Sequence, residues 1–259
     1  MDLRNVIFAI ALSFAVLFGW SVIFESPQVN EQKTSQQNES YQKTDGQNSD
    51  APSVNVENKK VPNISRQDAI RSGKRIKFEN DNVKGSIALK GALIDDIVFK
   101  KYKSKLNSDE RVTYLNPADT DEGYFVETGW ASSNIDKISL PTAKTLWKVK
   151  GNNKLSVSNP VIMEWDNNSG LIFRKKIELD DKFLFKITQE IQNKSSQKIE
   201  LYPYAQITRN QNPDVTDFYI LHEGFIGVFD EELKEESYKD IEERKKEFNA
   251  EDGWLGITD

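Results

Sequence analysis

The stretch VIMEWD (161–166), NNSG (167–170), LIFRKKIEL (171–179) decides the fold. Two short runs rich in branched apolar residues flank four residues of turn chemistry, and Asn and Gly tolerate the positive φ that a tight reversal needs. The pattern predicts an antiparallel hairpin. Asp180-Asp181 then turns the chain into KFLFKITQEIQN (182–193), where Phe183, Phe185, Ile187 and Ile191 alternate with Lys182, Lys186, Thr188 and Glu190. Lys194-Ser195-Ser196-Gln197 turns it again into KIELYPYAQIT (198–208), with Ile199, Leu201, Ala205 and Ile207 on one face. Alternation at a period of two gives each strand one buried and one wet face, and consecutive strands of this kind make a meander.

Outward from this centre the same period recurs. Strands are predicted at 75–79, 83–90, 92–100, 111–115, 123–128, 145–150 and 154–158, and again within YILHEGFIGVFD (219–230). Ten or more strands exceed a small barrel, so the expected architecture is mainly β, a large two-sheet sandwich. The tail EELKEESYKDIEERKKEF (231–248) is dense in helix formers and lacks Gly and Pro. Its acid-first pairs Glu235/Lys239, Asp240/Arg244 and Glu242/Lys246 predict an exposed C-terminal helix lying on the sandwich. No repeat of fixed period is visible, which argues against a solenoid or propeller.

Ahead of this body runs Val6–Phe24, VIFAIALSFAVLFGWSVIF, without a charge. A bilayer core of about 30 Å needs roughly twenty apolar helical residues, so the run is long enough to cross. Trp20 near its far end suits the interface. A cleaved secretory signal is the competing reading, but it would have a shorter apolar core and a small-x-small site, which Phe24-Glu25-Ser26-Pro27-Gln28 does not offer. Residues 1–24 are therefore read as a transmembrane signal-anchor. Arg4 on the short N-terminal flank mildly favours a cytoplasmic N-terminus, although Asp2 offsets it. Residues 25–70 open with a Gln/Asn/Ser/Lys-rich stretch that cannot bury enough apolar surface to fold, and read as a disordered polar spacer. The expected body is 71–250.

Composition limits the chemistry. The chain has 259 residues, no cysteine and one histidine. Disulfides, thiolate catalysis and Cys-ligated zinc are thereby removed, and a zinc site drawing on a single His is improbable. The formal charge of −6 lies wholly beyond the anchor, since Asp2 and Arg4 cancel, and it discourages a nucleic-acid or anionic-lipid surface. His222 reads as a structural hydrogen-bonding residue, since no G-x-S-x-G elbow supplies a nucleophile. Asp95-Asp96, Asp180-Asp181 and Glu231-Glu232 could suggest paired-carboxylate glycosidase chemistry, but each lies beside a predicted turn or strand end and reads as solvated. Gly224 and Gly227 read as a turn or close backbone packing, not as a phosphate loop. Of Trp130, Trp147 and Trp165, core packing is expected for most and a groove for one. No catalytic, cofactor-binding or metal-binding residue is assigned.

The order of features carries a resemblance. An anchor, a polar spacer, a β-rich body, Gly91-Ala92-Leu93-Ile94-Asp95-Asp96-Ile97, the stretch Phe218–Gly227 (FYILHEGFIG), a charged helix and Gly253-Trp254-Leu255-Gly256-Ile257-Thr258-Asp259 together resemble the N-terminal half of the YidC family of bacterial membrane protein insertases. The resemblance implies a periplasmic β-supersandwich similar to galactose mutarotases, an inner-membrane location with the N-terminus cytoplasmic, and 251–259 as the start of the return to the membrane. It implies a non-enzymatic anchor and interaction platform that assists insertion and folding of inner-membrane proteins, with or independently of the Sec translocon. The implied partners are translocon components, nascent membrane proteins and the bilayer, with no nucleic acid, cofactor or small-molecule substrate. The family's insertase groove lies in later transmembrane helices, and no residue of it can be carried onto this chain. The rival reading is a membrane-anchored periplasmic carbohydrate-binding or sugar-modifying protein of mutarotase-like fold, for which His222 alone is poor machinery. An anchor domain with neither partner nor ligand is the third.

Overall fold

The computed structural model describes residues 64–133, 138–213, 222–243 and 245–258. Val6–Phe24 and most of the spacer lie outside the described residues. A short helix α1 (Arg66–Arg71) opens the body; Ser65 caps it, its Oγ accepting from the Asp68 N–H. Fourteen strands follow among the described residues. The first seven are β1 (Arg75–Glu79), β2 (Val83–Ala88), β3 (Ile94–Lys103), β4 (Arg111–Leu115), β5 (Tyr124–Ala131), β6 (Lys148–Lys150) and β7 (Lys154–Leu155). Then come β8 (Val161–Asp166), β9 (Leu171–Leu179), β10 (Phe185–Asn193), β11 (Tyr202–Arg209), β12 (Gly224–Phe229), β13 (Glu232–Ser237), a short helix α2 (Tyr238–Glu243) and β14 (Gly253–Thr258).

The fold is mainly β, as expected. The hairpin at 161–179 forms with the predicted bounds, and its loop uses positive φ at Asn168 and Gly170 while Asn167 Oδ1 accepts from the backbone of Ser169 and Leu171. β8 and β9 pair antiparallel, β10 adds to β9 and β6 to β8, giving a four-stranded sheet ordered β10-β9-β8-β6. The opposing sheet runs β11-β5-β3-β2-β1-β7, with β4 also on β3.

Aromatic side chains join the two sheets. The Phe78 ring on β1 meets Phe185 on β10 edge to face at 5.1 Å, and Trp130 on β5 meets Phe173 on β9 at 5.0 Å. Ile87, Trp147, Leu155, Val161, Met163 and Phe173 are among the fully buried residues of the shared core. Burial of such side chains is worth about 1.5–3 kcal/mol each, which is what holds two half-apolar sheets together.

Three expectations are corrected. The strand after β10 does not extend the meander: Tyr202–Arg209 crosses to the other sheet and pairs with β5, from Tyr202 opposite Ala131 to Arg209 opposite Tyr124. Ile199, Leu201 and Ile207 still pack on the core, but Ala205 is exposed. The predicted helix over 231–248 is mostly absent. Glu232–Ser237 is instead a strand on β12, joined by a two-residue turn at Asp230-Glu231 with φ of 49° and 68°, and only Tyr238–Glu243 is helical. Pairing to β12 satisfies the backbone of this segment while placing Leu233 opposite Val228, and that outweighs its local helix propensity. The body expected to end at 250 also runs further, because Gly253–Thr258 pairs along the whole of β12 in a third sheet ordered β13-β12-β14.

Candidate functional site

A groove opens between the two large sheets. Apolar residues from both line it, among them Ile97, Leu115 and Val126 from one sheet and Phe185 and Ile187 from the other, enclosing about 390 Å³. Aromatic rings form its mouth. Phe99 stacks on Tyr114 at 5.0 Å and meets Tyr102 and Phe183 edge to face at 5.7 and 5.6 Å, and Tyr114 lies 5.9 Å from Tyr124. Tyr102, Tyr114, Phe183 and Leu184 are exposed. Contiguous exposed apolar surface of this kind marks an interaction site.

Local structure explains the clustering. β3 projects Phe99 on the face turned to the other sheet, and β4 pairs with β3 through a register shift that brings Tyr114 beside it. Asp180 Oδ1 accepts from the backbone of Lys182 and Leu184, which curls the β9–β10 turn and presents Phe183 to Phe99. A second, more polar cavity of about 740 Å³ adjoins the groove and shares Phe99, Tyr114 and Tyr124; Asn116, Glu122 and Arg209 contribute polar groups to it. The Arg209 guanidinium lies 4.9 Å from the Tyr124 ring centroid. Together the two spaces offer an apolar slot with a polar end, which suits an extended chain of mixed character.

The residues singled out from the sequence lie elsewhere. Trp130 and Trp147 are buried in the core and stack at 6.4 Å, and Trp165 packs on Phe173, so none of the three lines the groove. His222 Nε2 lies 3.1 Å from the Phe225 carbonyl oxygen, a hydrogen-bonding position at the approach to β12. Asp180-Asp181 and Glu231 occupy turns. At Gly224 a Cβ would stand 2.4 Å from the Glu236 carbonyl oxygen, which is close backbone packing. Among the described residues no group of three or more His, Asp or Glu side chains could hold a metal, and no helix is long and apolar enough to cross a membrane.

Asp95-Asp96 overturns its reading as a solvated pair: the residues are 3% and 6% exposed. Pairing of β2 with β3 slips between Ser86/Asp96 and Ile87/Ile94, so Asp95 is the extra residue of a bulge. The bulge lets both carboxylates turn inward. Arg75 pairs with Asp95 and donates through Nε to Ser86 Oγ at 2.7 Å, Ser86 Oγ donates to Asp96 Oδ2 at 2.6 Å, and Arg66 of α1 pairs with Asp96. Burial raises the Asp95 carboxyl above its ordinary pKa while the Arg75 guanidinium pulls it back. Each carboxylate has a guanidinium partner, so the cluster clips α1 to the sheet.

The groove aromatics escaped sequence reading because Phe99, Tyr114 and Phe183 come from three separate strands or turns. The available signal was the spacing of Phe99 and Tyr102 in a strand whose outer half is charged.

Comparisons with known proteins agree with this architecture. The family model for the YidC periplasmic domain matches residues 75–259. The membrane protein insertase YidC of Pelagibacter ubique (strain HTCC1062) is 45% identical over 259 residues, covering 100% of this chain and 45% of that protein. The insertases YidC of Bradyrhizobium diazoefficiens and Nitrobacter hamburgensis are 36% and 38% identical, over 100% and 99% of this chain and 45% and 43% of theirs. The chain thus spans less than half the length of these relatives. With the domain model covering 75–259 and the likeness running the length of the chain, the chain belongs to the YidC family.

Proposed function

We propose that the chain is the anchor and periplasmic interaction platform of a membrane protein insertase, and that it holds apolar segments of nascent membrane proteins in the aromatic groove. It does so without catalysis. The observation that carries this reading is the ring-lined slot between the sheets, open at Tyr102, Tyr114 and Phe183, on a body of the YidC family. An apolar segment emerging into water costs about 25 cal/mol for each Å² it exposes, and transient cover from rings removes part of that cost. Val6–Phe24 crosses the inner membrane with its N-terminus in the cytoplasm, which places the body in the periplasm beside the Sec translocon, with whose components it cooperates. The mutarotase likeness belongs to the scaffold, since fold does not fix function. The carbohydrate reading lacks support from Trp130 and Trp147, whose rings are enclosed in the core.

The test is photo-crosslinking in cells. A benzophenone amino acid at Phe183 of the full chain is expected to capture nascent inner-membrane proteins, whereas the same probe at the exposed Val157, outside the groove lining, is not. Equal capture at both positions would sink the groove assignment.

A further inference from the structure

Among the described residues, β14 is an edge strand of its sheet and carries none of the usual edge guards. Its sequence, GWLGIT, contains no charge and no proline, and it pairs without a bulge from Gly253 opposite Phe229 to Thr258 opposite Gly224. Natural edges are blunted by charges, prolines or bulges, because a row of open N–H and C=O groups recruits another strand. The other edges here follow that rule: β13 carries Glu232, Lys234, Glu235 and Glu236, β11 carries Pro203, and β10 carries Lys186 and Glu190.

The groups that β14 presents follow from its pairing. The Asp230 N–H donates to the Asp252 carbonyl at 3.0 Å, which makes 230/252 a hydrogen-bonded pair. In an antiparallel ladder such pairs alternate, so Trp254, Gly256 and Thr258 turn their backbone groups to β12. Leu255 and Ile257 turn theirs outward. Trp254 and Leu255 project to opposite faces and are 54% and 64% exposed, so a strand laid on this edge would find apolar cover on either side. Ile257 and Thr258 also border the 740 Å³ cavity, facing Val112, Thr113 and Tyr114 of β4.

Charge selects the occupant. Asp230, Glu231, Glu232, Glu251 and Asp252 gather where β14 begins, with Asp230 Oδ1 accepting from the backbone of both Glu251 and Asp252. A second copy of this chain, running antiparallel on the same edge, would lay the uncharged β14 beside Glu251 and Asp252 and offer these carboxylates no basic partner. We propose that the outer edge of β14 accepts one extended strand of an apolar polypeptide segment flanked by lysine or arginine. The proposal rests on the reading of this chain as a platform for nascent membrane proteins and names a way in which it grips them: backbone pairing at Leu255 and Ile257, apolar cover from Trp254 and Leu255, and carboxylates for the basic flank.

The test uses the full chain in lipid nanodiscs and a fluorescent peptide, Lys-Lys-(Val-Thr)₃-Lys-Lys, with empty nanodiscs subtracted. Anisotropy is expected to show saturable binding. N-methylation of every residue in the Val-Thr stretch, Glu in place of the flanking Lys, and Leu255→Pro should each weaken it by about tenfold or more, the loss expected for one or two hydrogen bonds or a charge pair. Proline is tolerated there because the Leu255 N–H faces outward, and an unchanged melting curve checks that the sheet is intact. Should Leu255→Pro fold poorly, Leu255→Lys blocks the same edge with a charge. Equal binding of the N-methylated peptide, or of the blocked variants, overturns the proposal. So does a concentration-dependent dimer that Leu255→Pro abolishes, which would assign the edge to a second copy. Absence of peptide binding alongside persistent crosslinking at Phe183 removes this inference and leaves the groove reading standing.

Discussion

Lys175 on β9 places its Nζ 5.0 Å from the centroid of the Trp147 ring and donates to the Thr128 carbonyl of the opposite sheet at 2.5 Å. The residue is 2% exposed, so a cation bridges the two sheets inside the core. Indole and carbonyl replace only part of its hydration, and burial lowers its pKa from 10.5 to about 8 despite the nearby Glu127 carboxylate.

Stability is therefore expected to rise with pH above neutrality. Below about pH 8 the ammonium is charged in both states, and its burial cost is fully present. Between about 8 and 10.5 the unfolded chain holds a proton that the folded one has released, so the slope is positive and the relief reaches about 3 kcal/mol at most. Tyr204, bonded to Glu127 and raised above its ordinary 10.0, acts in the opposite sense once unfolded tyrosine ionises. Urea unfolding from pH 7 to 10 should show the rise, and Lys175→Met should flatten it. A flat profile in the unaltered chain would show that Lys175 is better solvated than its surroundings indicate.

Asp95→Ala should cost about 3–5 kcal/mol, because it strands the Arg75 guanidinium beside Ser86 in a buried site. The double change Arg75→Met with Asp95→Leu should cost much less, since it removes both charges. Urea midpoints of the three proteins decide the point, and equal losses for single and double variants would refute it.

Phe185→Asp should destabilise by about 3 kcal/mol or more, since it sets a carboxylate against the Phe78 ring and the core. Phe183→Ser, at the exposed mouth, should change stability by about 1 kcal/mol or less while reducing capture of nascent proteins by a photo-probe at Tyr114. Thermal melts separate the two effects. An unchanged melt for Phe185→Asp would refute the inner face assigned to β10.

Gly85→Ala should lower stability by about 2 kcal/mol or more, because the added Cβ would stand 1.8 Å from the Asp96 carbonyl oxygen and 2.8 Å from the tip of Phe78. The bulge that turns Asp95 and Asp96 inward depends on this close approach. Denaturation with intact Arg66–Asp96 and Arg75–Asp95 pairs as the reference checks it.

Much of the strand inventory was legible. Arg75–Glu79, Arg111–Leu115, Val161–Asp166 and Leu171–Leu179 fall at their predicted bounds, because alternation and turn residues are local signals. The 232–237 segment misled because Glu235/Lys239 and its neighbours satisfy helical spacing, and the Asp230-Glu231 turn carries neither Gly nor Asn to announce positive φ. Of the site, Phe99, Tyr114, Phe183 and Phe185 were visible only as apolar members of separate strands.

The sequence by itself determined that the body is built of alternating strands, that a hairpin over 161–179 turns within Asn167-Asn168-Ser169-Gly170, and that the residues carry the pattern of the YidC family. Tertiary structure alone decided that β11 joins β5 instead of β10, that a bulge draws Asp95 and Asp96 inside to meet Arg75 and Arg66, and that β14 presents an open edge. The reason is physical. Backbone period and turn geometry are set by neighbours in the chain, whereas the partner of a strand edge or a buried charge is set by groups distant in the chain competing for the same surface.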